Sequence, residues 1–350
     1  MAIKNIGVKM FSNLHKTNFE NFQATLFNLK GDSIPLIELG IHPDIRKEIA
    51  GEPIDTVKKE INFMRSLGYD YLKVQPKINI DMKQGSTSTI NDGSDRAWSA
   101  EHGGVITSME EFEKYKWPEK KDIDYSRFEE ANKLMPNDMG IVGQYGDIYT
   151  LTWEMMGFET FSMLMYEDPE LVKVIFKKIG DLILSMFENM ADMDFVKVLW
   201  YSDDLAYSTG LMINPDLYRE LLFPYMKKIG ALAKKRDIPF IYHSDGVLYS
   251  VLDELIDLGI TALHPIEPIS MDIKELKNRY GDQLCLCGGI DVDILSRGST
   301  EDVEKLTRDI MQKASPNGGW CGGSSNSIPE YCSAKNYLKM VETILKEGKY

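Results

Sequence analysis

Two short apolar runs constrain this chain more than any other feature, because each ends in ionisable side chains. Residues 239–242 lead into His243-Ser244-Asp245-Gly246, and residues 261–263 lead into His264-Pro265-Ile266-Glu267. Between them Val247, Val251, Leu255 and Leu258 mark one apolar helical face, and Gly259 supplies a left-handed C-cap. A buried strand, a helix and a second buried strand make a βα rhythm. In a parallel barrel, chemistry is mounted at the C-terminal ends of successive strands. His243, Asp245 and Glu267 are therefore expected to converge although up to 24 positions separate them. Such a cluster is a metal site or an acid–base site.

The same rhythm recurs along the chain. Strand-like runs fall at residues 34–39, 69–74, 140–144, 195–201, 239–242, 260–263, 283–286 and 319–321, with helical stretches between them. About eight βα units favour closure, so the expected fold is an α/β single (β/α)8 TIM barrel over residues 1–350, with an N-terminal extension and a long inserted loop region. Ser299-Thr300-Glu301-Asp302 reads as an N-cap with acidic first-turn residues. Residues 151–195 read as two helices, the second starting at Pro169. Residues 76–135 form a long connection, rich in Gly, Ser and Asp at 85–89 and 91–95; a loop of that length is expected to be a lid or an insertion.

Composition excludes several classes. The chain is 43% hydrophobic and 27% charged, with no run long enough to span a membrane and no apolar signal core at its start, so a cytoplasmic protein without membrane contact is expected. The net charge of −14 argues against nucleic acid and disfavours a highly anionic substrate unless arginines are gathered locally. All four cysteines lie in the last fifth and read as reduced thiols. Cys285 and Cys287 alternate with Leu284 and Leu286 and read as core packing, whereas Cys321 stands nearer its strand end. The 19 methionines read as core filler.

If the strands close, one mouth is rimmed by Glu38, Gln144 with Asp147, Asp203-Asp204, His243 with Asp245, His264 with Glu267, Asp291 and Asn326. Imidazole and carboxylate are ordinary zinc ligands, and a catalytic zinc keeps one position open. The competing reading of His243 is a hydrogen bond to Asp245 that caps the next helix. Glu267 stands between Pro265-Ile266 and Pro268, held at a strand end. One of Asp203 and Asp204 is expected to face the mouth and the other to cap the next segment. Tyr145, Trp153, Trp200 and Tyr201 border the mouth, either packing it or stacking an aromatic substrate. Gly288-Gly289 and Gly322-Gly323 read as close backbone approaches, since neither opens a dinucleotide fingerprint.

The order Phe240-Ile-Tyr-His-Ser-Asp-Gly246, Ala262-Leu-His-Pro-Ile-Glu-Pro268, Cys287-Gly-Gly-Ile-Asp291, Gly323-Ser-Ser-Asn-Ser-Ile-Pro329 and the closing Glu347-Gly348-Lys349-Tyr350 resembles the uroporphyrinogen decarboxylase superfamily. Trp200-Tyr-Ser-Asp-Asp204, residues 143–147 and Glu38 extend the resemblance over most of the chain. It implies one (β/α)8 barrel with its site at the C-terminal mouth. The decarboxylase branch carries an early arginine-rich motif and an Asp at the next strand end, where this chain has Ile37-Glu38-Leu39-Gly40 and Lys73-Val74-Gln75-Pro76. The methyltransferase branches bind zinc through His-x-Cys, in some members a later Glu, and a Cys on the last strand's loop. His243 and Glu267 fit that pattern, while Asp245 and Asn326 stand where the two cysteines would be. A site without thiolates is harder and suits a Zn²⁺ that polarises an ether or hydroxyl oxygen.

The resemblance thus implies a corrinoid-dependent methyltransferase of the O-demethylase type, moving a methyl group from a small methoxylated donor, a phenyl methyl ether, to the cobalt of a corrinoid (cobalamin) carried by a partner protein. The expected metal ligands are His243, Asp245 and Glu267, with Asp203 or Asp204 as acid or further ligand. Glu38, Gln144, Tyr145, Trp200, Tyr201, Asp291 and Asn326 are the expected substrate contacts. Two alternatives stay open: a metal-independent decarboxylase of a non-porphyrin acid, and a corrinoid- or tetrapyrrole-binding module without chemistry. A homodimer is also left open.

Overall fold

A computed structural model describes residues 10–11, 13–82 and 104–349. Its strands run in chain order as β1 (Tyr71–Val74), β2 (Gly140–Gly146), β3 (Val196–Ser202), β4 (Ala206–Tyr207), β5 (Gly210–Leu211), β6 (Phe240–His243), β7 (Ala262–His264), β8 (Cys285–Cys287) and β9 (Trp320–Cys321). β4 and β5 form a small antiparallel hairpin. The other seven make one parallel sheet in the order β1-β2-β3-β6-β7-β8-β9. Strands covered on both faces read as near-continuous apolar runs, which is why Phe240-Ile241-Tyr242 and Cys285-Leu286-Cys287 are buried throughout.

The first expected strand, residues 34–39, forms no ladder. Pro35 lacks the N–H that a ladder needs, and the segment instead makes a single parallel bridge between Leu36 and Gly322. Ile37 N donates to Gly322 O at 2.9 Å and Gly322 N donates to Pro35 O at 2.8 Å. On its other side Glu38 N donates to the Tyr71 hydroxyl at 3.0 Å, so the segment fills the place between β9 and β1. A Cβ on Gly323 would meet Ile37 O at 1.9 Å, the close backbone approach expected of that glycine pair. The result is the expected barrel-like α/β fold, curled and closed by an irregular segment in the eighth place.

Helix ends follow local chemistry. Ser299 caps Thr300–Ala314 in a full capping box with Asp302. The expected pair of helices over 151–195 is instead three, Ile148–Met156, Phe158–Glu167 and Pro169–Asp192, because Gly157 at φ 76 breaks the first. Pro169 does open the last, with Asp168 accepting from Leu171 N. Gly259 has φ 103 as expected, but the helix before it covers only Leu252–Asp257. Residues 83–103, with the Gly-, Ser- and Asp-rich stretches, lie outside the described residues; the described part of the long connection carries Met109–Lys114, Lys120–Asp122 and Ser126–Leu134. No helix among the described residues is long and apolar enough to cross a membrane. In the N-terminal extension, Phe19–Leu26 packs Phe22 flat on Tyr71 at 4.7 Å between ring centroids.

Candidate metal and substrate site at the barrel mouth

Strand register sets the site. Ser202 pairs with His243 and His243 with His264; Leu263 pairs with Leu286 and Cys287 with Cys321. One row across β3, β6, β7, β8 and β9 therefore reads Ser202, His243, His264, Cys287, Cys321. The apolar runs carry these side chains to their strand ends, where little else would bring them together.

His243 is buried, and its Nδ1 lies 2.8 Å from His264 Nδ1. Two ring nitrogens at that distance share one proton, so one ring donates to the other. Burial pushes the His243 pKa down to about 4, with Asp204 opposing and Lys73 adding to the fall. His264 is driven down by burial and by its neighbour. Both rings are thus neutral at pH 7, and a neutral imidazole is the form that ligates metal. When His243 Nδ1 donates, its Nε2 keeps a lone pair on the side of two carboxylates, 3.7 Å from Asp204 Oδ1 and 3.9 Å from Asp245 Oδ1. His264 Nε2 then carries a proton with no acceptor among the described residues.

Asp204, His243 and Asp245 offer ligand atoms that all lie within 4.8 Å of one another. Ligands bound at about 2.1 Å in a tetrahedron stand roughly 3.4 Å apart, so the 3.7 and 3.9 Å separations of His243 Nε2 from the two carboxylates need close by only a few tenths of an ångström. The donor set fits a divalent cation of zinc type on its chemistry. One backbone and one side-chain bond hold the carboxylates: Asp245 N donates to Asp204 Oδ1 at 2.8 Å, and Asn326 Nδ2 donates to Asp245 Oδ2 at 2.7 Å. Asn326 thus orients Asp245 from the last strand's loop.

Several expected site residues are engaged elsewhere. Glu267 Oε2 accepts from Ser270 Oγ at 2.6 Å and Gly246 N at 3.3 Å, and Glu267 does not belong to the metal-capable trio. Asp203 accepts from Tyr149 N, Thr150 N, Thr150 Oγ1 and the Tyr201 hydroxyl, which makes it an anchor for the helix that begins at Ile148. Of the two aspartates Asp204 is the one that faces the mouth. Tyr201 is spent on Asp203. Trp200 is buried with its ring centroid 5.0 Å from that of His264, and Asp291 caps Val292–Arg297. Glu38 accepts from Ser324 N at 2.9 Å and Ser324 Oγ at 2.6 Å, tying the closing segment to the last loop. Tyr145 is half-buried, its hydroxyl pKa raised by burial and by Asp147.

The mouth opens into a cavity of about 690 Å³. Gln144, Asp147, Ser202, Asp204 and His243 line one side, and Lys73, Arg46 and Arg127 line another. Gln144 Nε2 donates to Ser202 Oγ at 2.9 Å and Gln144 Oε1 accepts from Gln75. A cavity of similar size near Phe19, Gly140 and Phe195 sits at the opposite strand ends and holds neither metal-capable trio. A second such trio joins Cys285 and Cys287, which the sequence reads as packing, to Cys321 at its strand end: all three are fully buried, with Cys285 and Cys321 Sγ 3.9 Å apart. Its donor chemistry suits a soft ion. The parallel pairing of β8 and β9 was the signal, since it sets Cys321 beside Cys287.

The sequence and fold have relatives. A uroporphyrinogen decarboxylase from Chlorobium luteolum is 26% identical over 233 residues, covering 62% of this chain and 62% of its own length. One from Dechloromonas aromatica is 23% identical over 227 residues, covering 61% of each. The chain thus matches under two thirds of the length of either. A solved structure of a methyltransferase from Methanosarcina mazei is similar in fold, with a TM-score of 0.65 at 15% identity, covering 94% of this chain and 98% of that one. Residues 59–346 match the family model for uroporphyrinogen decarboxylase (URO-D), and on that match the chain belongs to the uroporphyrinogen decarboxylase family.

Proposed function

We propose that this protein is a methyltransferase that moves a methyl group from a small methoxylated donor, a phenyl methyl ether, to the cobalt of a corrinoid protein. The observation that carries the reading is the Asp204, His243 and Asp245 trio at the edge of a 690 Å³ cavity, with Asn326 bonded to Asp245. By the resemblance, His243, Asp245 and Asn326 stand where methyltransferase branches place a His and two thiolates, and Asp204 adds a further oxygen donor beside them. Zinc bound there would supply Lewis acidity toward an ether oxygen, whose departure as phenolate is otherwise slow. His243 and the two aspartates would hold the ion, with Glu267 tying Gly246 beneath them. Asn326 fixes Asp245, and His264 fixes the His243 ring, as partners beyond the ligands normally do. Trp200 and Tyr145 pack the mouth, and the corrinoid partner would dock over it.

A second reading, decarboxylation without a metal, has one observation in its favour. Asp147 lines the cavity, and burial, then Asp203, Glu154 and Asp204, hold its carboxyl well above the ordinary range, so it keeps a proton to give. Metal analysis separates the two. Protein purified without chelator should carry about one zinc per chain at this site, lost in His243→Ala and retained in Cys287→Ser. Zinc retained in full by His243→Ala would refute the assignment.

A further inference from the structure

In a chain of net charge −14, cations gathered on one cavity wall need a reason. Lys73 projects from β1 with its neighbour Tyr71 facing the same way, and its ammonium donates to Leu39 O. Among the described residues it makes no other hydrogen bond and no ion pair. Its Nζ stands 5.7 Å from the centre of the Trp200 ring. Beside it Glu60 offers one oxygen to Arg46 at 3.0 Å and the other to Arg127. One carboxylate shared by two guanidiniums leaves excess positive charge, while Lys77 is matched by Asp124 in the same lining. The opposite wall, from β2, β3 and β6, carries Asp147, Asp204 and His243.

We infer that the β1 wall of the cavity is an anion subsite, in which Lys73, with Arg46 and Arg127 behind it, receives the carboxylate of a small aromatic acid whose other end faces Asp204, His243 and Asp245. Leaving an ammonium partly desolvated without a counter-charge is costly, and burial accordingly lowers its pKa to about 7. A bound carboxylate removes that cost and raises the pKa again. A single negative charge matches the wall better than a polyanion, because the acidic side of the same cavity repels further charge. The inference takes its orientation from the proposed site but does not need methyl transfer to occur.

Benzoate tests it, since benzoate has no methyl ether to lose. Binding of benzoate, 4-methoxybenzoate, methoxybenzene and methyl benzoate to the full-length protein is measured by calorimetry and by tryptophan fluorescence. The two carboxylates should bind in competition with each other, and about tenfold or more tighter than the two neutral compounds, as expected for one charge-assisted hydrogen bond. Lys73→Met keeps the side-chain volume and should erase that preference while leaving neutral binding unchanged. In wild-type protein the preference should also weaken with added salt, a check independent of any variant. Equal affinity for charged and neutral compounds, a preference that survives in folded Lys73→Met, or no carboxylate binding would each overturn the subsite. Carboxylate binding without methyl transfer would keep the subsite and fail only the proposed reaction.

Discussion

Replacing Glu38 by Gln should make the protein more stable at high pH and leave it unchanged at low pH. Glu38 is 3% exposed, and burial pushes its pKa from 4.5 up to about 8, the bonds from Ser324 opposing. Geometry agrees that it is protonated. Ser324 Oγ lies 2.6 Å from Glu38 Oε2 and 2.8 Å from Asn326 O, and its single proton can serve only one of them. Both contacts are made when a protonated Glu38 donates to Ser324, which in turn donates to Asn326. The folded state therefore holds a proton that the unfolded chain releases near pH 4.5, so the stabilisation is full below that pH and is lost as pH rises through 8. At about 1.4 kcal/mol per unit, the loss between pH 5 and pH 9 is on the order of 4 kcal/mol. Glutamine cannot ionise, and its amide can accept from Ser324 N and donate to Ser324 Oγ. Urea denaturation of both proteins at pH 5 and pH 9 measures the effect. Lys73, with its pKa lowered to about 7, contributes the opposite slope in both proteins and cancels in the difference. Equal pH slopes for wild type and Glu38→Gln would refute the reasoning.

Three further outcomes follow from the same contacts. Asp203→Ala strips four donors of their acceptor and should cost about 3 to 5 kcal/mol in denaturation, while the folded fraction keeps its metal. Asn326→Ala removes its bond to Asp245 Oδ2 and should weaken metal affinity roughly 10- to 100-fold in a chelator competition, with little change in melting temperature. Gly246→Ala puts a Cβ 2.4 Å from Ala206 O at a residue with φ +87, and should destabilise by about 3 kcal/mol or more, read as a lowered melting temperature.

Much of the barrel was legible because its strands are buried on both faces and end abruptly in polar residues, as Phe240-Ile241-Tyr242 does before His243. Residues 34–39 looked like another such run, yet pairing depends on backbone donors that hydropathy does not report, and Pro35 withholds one. Gly157 divides a continuous helical pattern by its positive φ, which composition alone does not reveal. The places of His243, Asp204 and Asp245 at strand ends were legible, and the structure brings their ligand atoms within 4.8 Å of one another. Glu267 looked equivalent, but the turn through Ser270 supplies nearer donors for its carboxylate. Asp203 and Asp204 were indistinguishable until the helix start at Ile148 claimed one of them. The β1 wall was missed because Arg46, Glu60, Lys73 and Arg127 come from four separate elements. Its one local signal was a lysine at the alternation of a buried strand, Tyr71-Leu72-Lys73-Val74.

The proposed function is tested most directly by mixing the protein with a reduced corrinoid protein and 4-methoxybenzoate or a related methoxylated aromatic, and following the cobalt by absorbance. The account predicts conversion of Co(I) to methyl-Co(III) with release of one phenol per methyl group, abolished in His243→Ala and in protein stripped of metal. Unchanged Co(I) with every methoxylated donor, together with release of CO₂ from an aromatic acid by the protein alone, would contradict it.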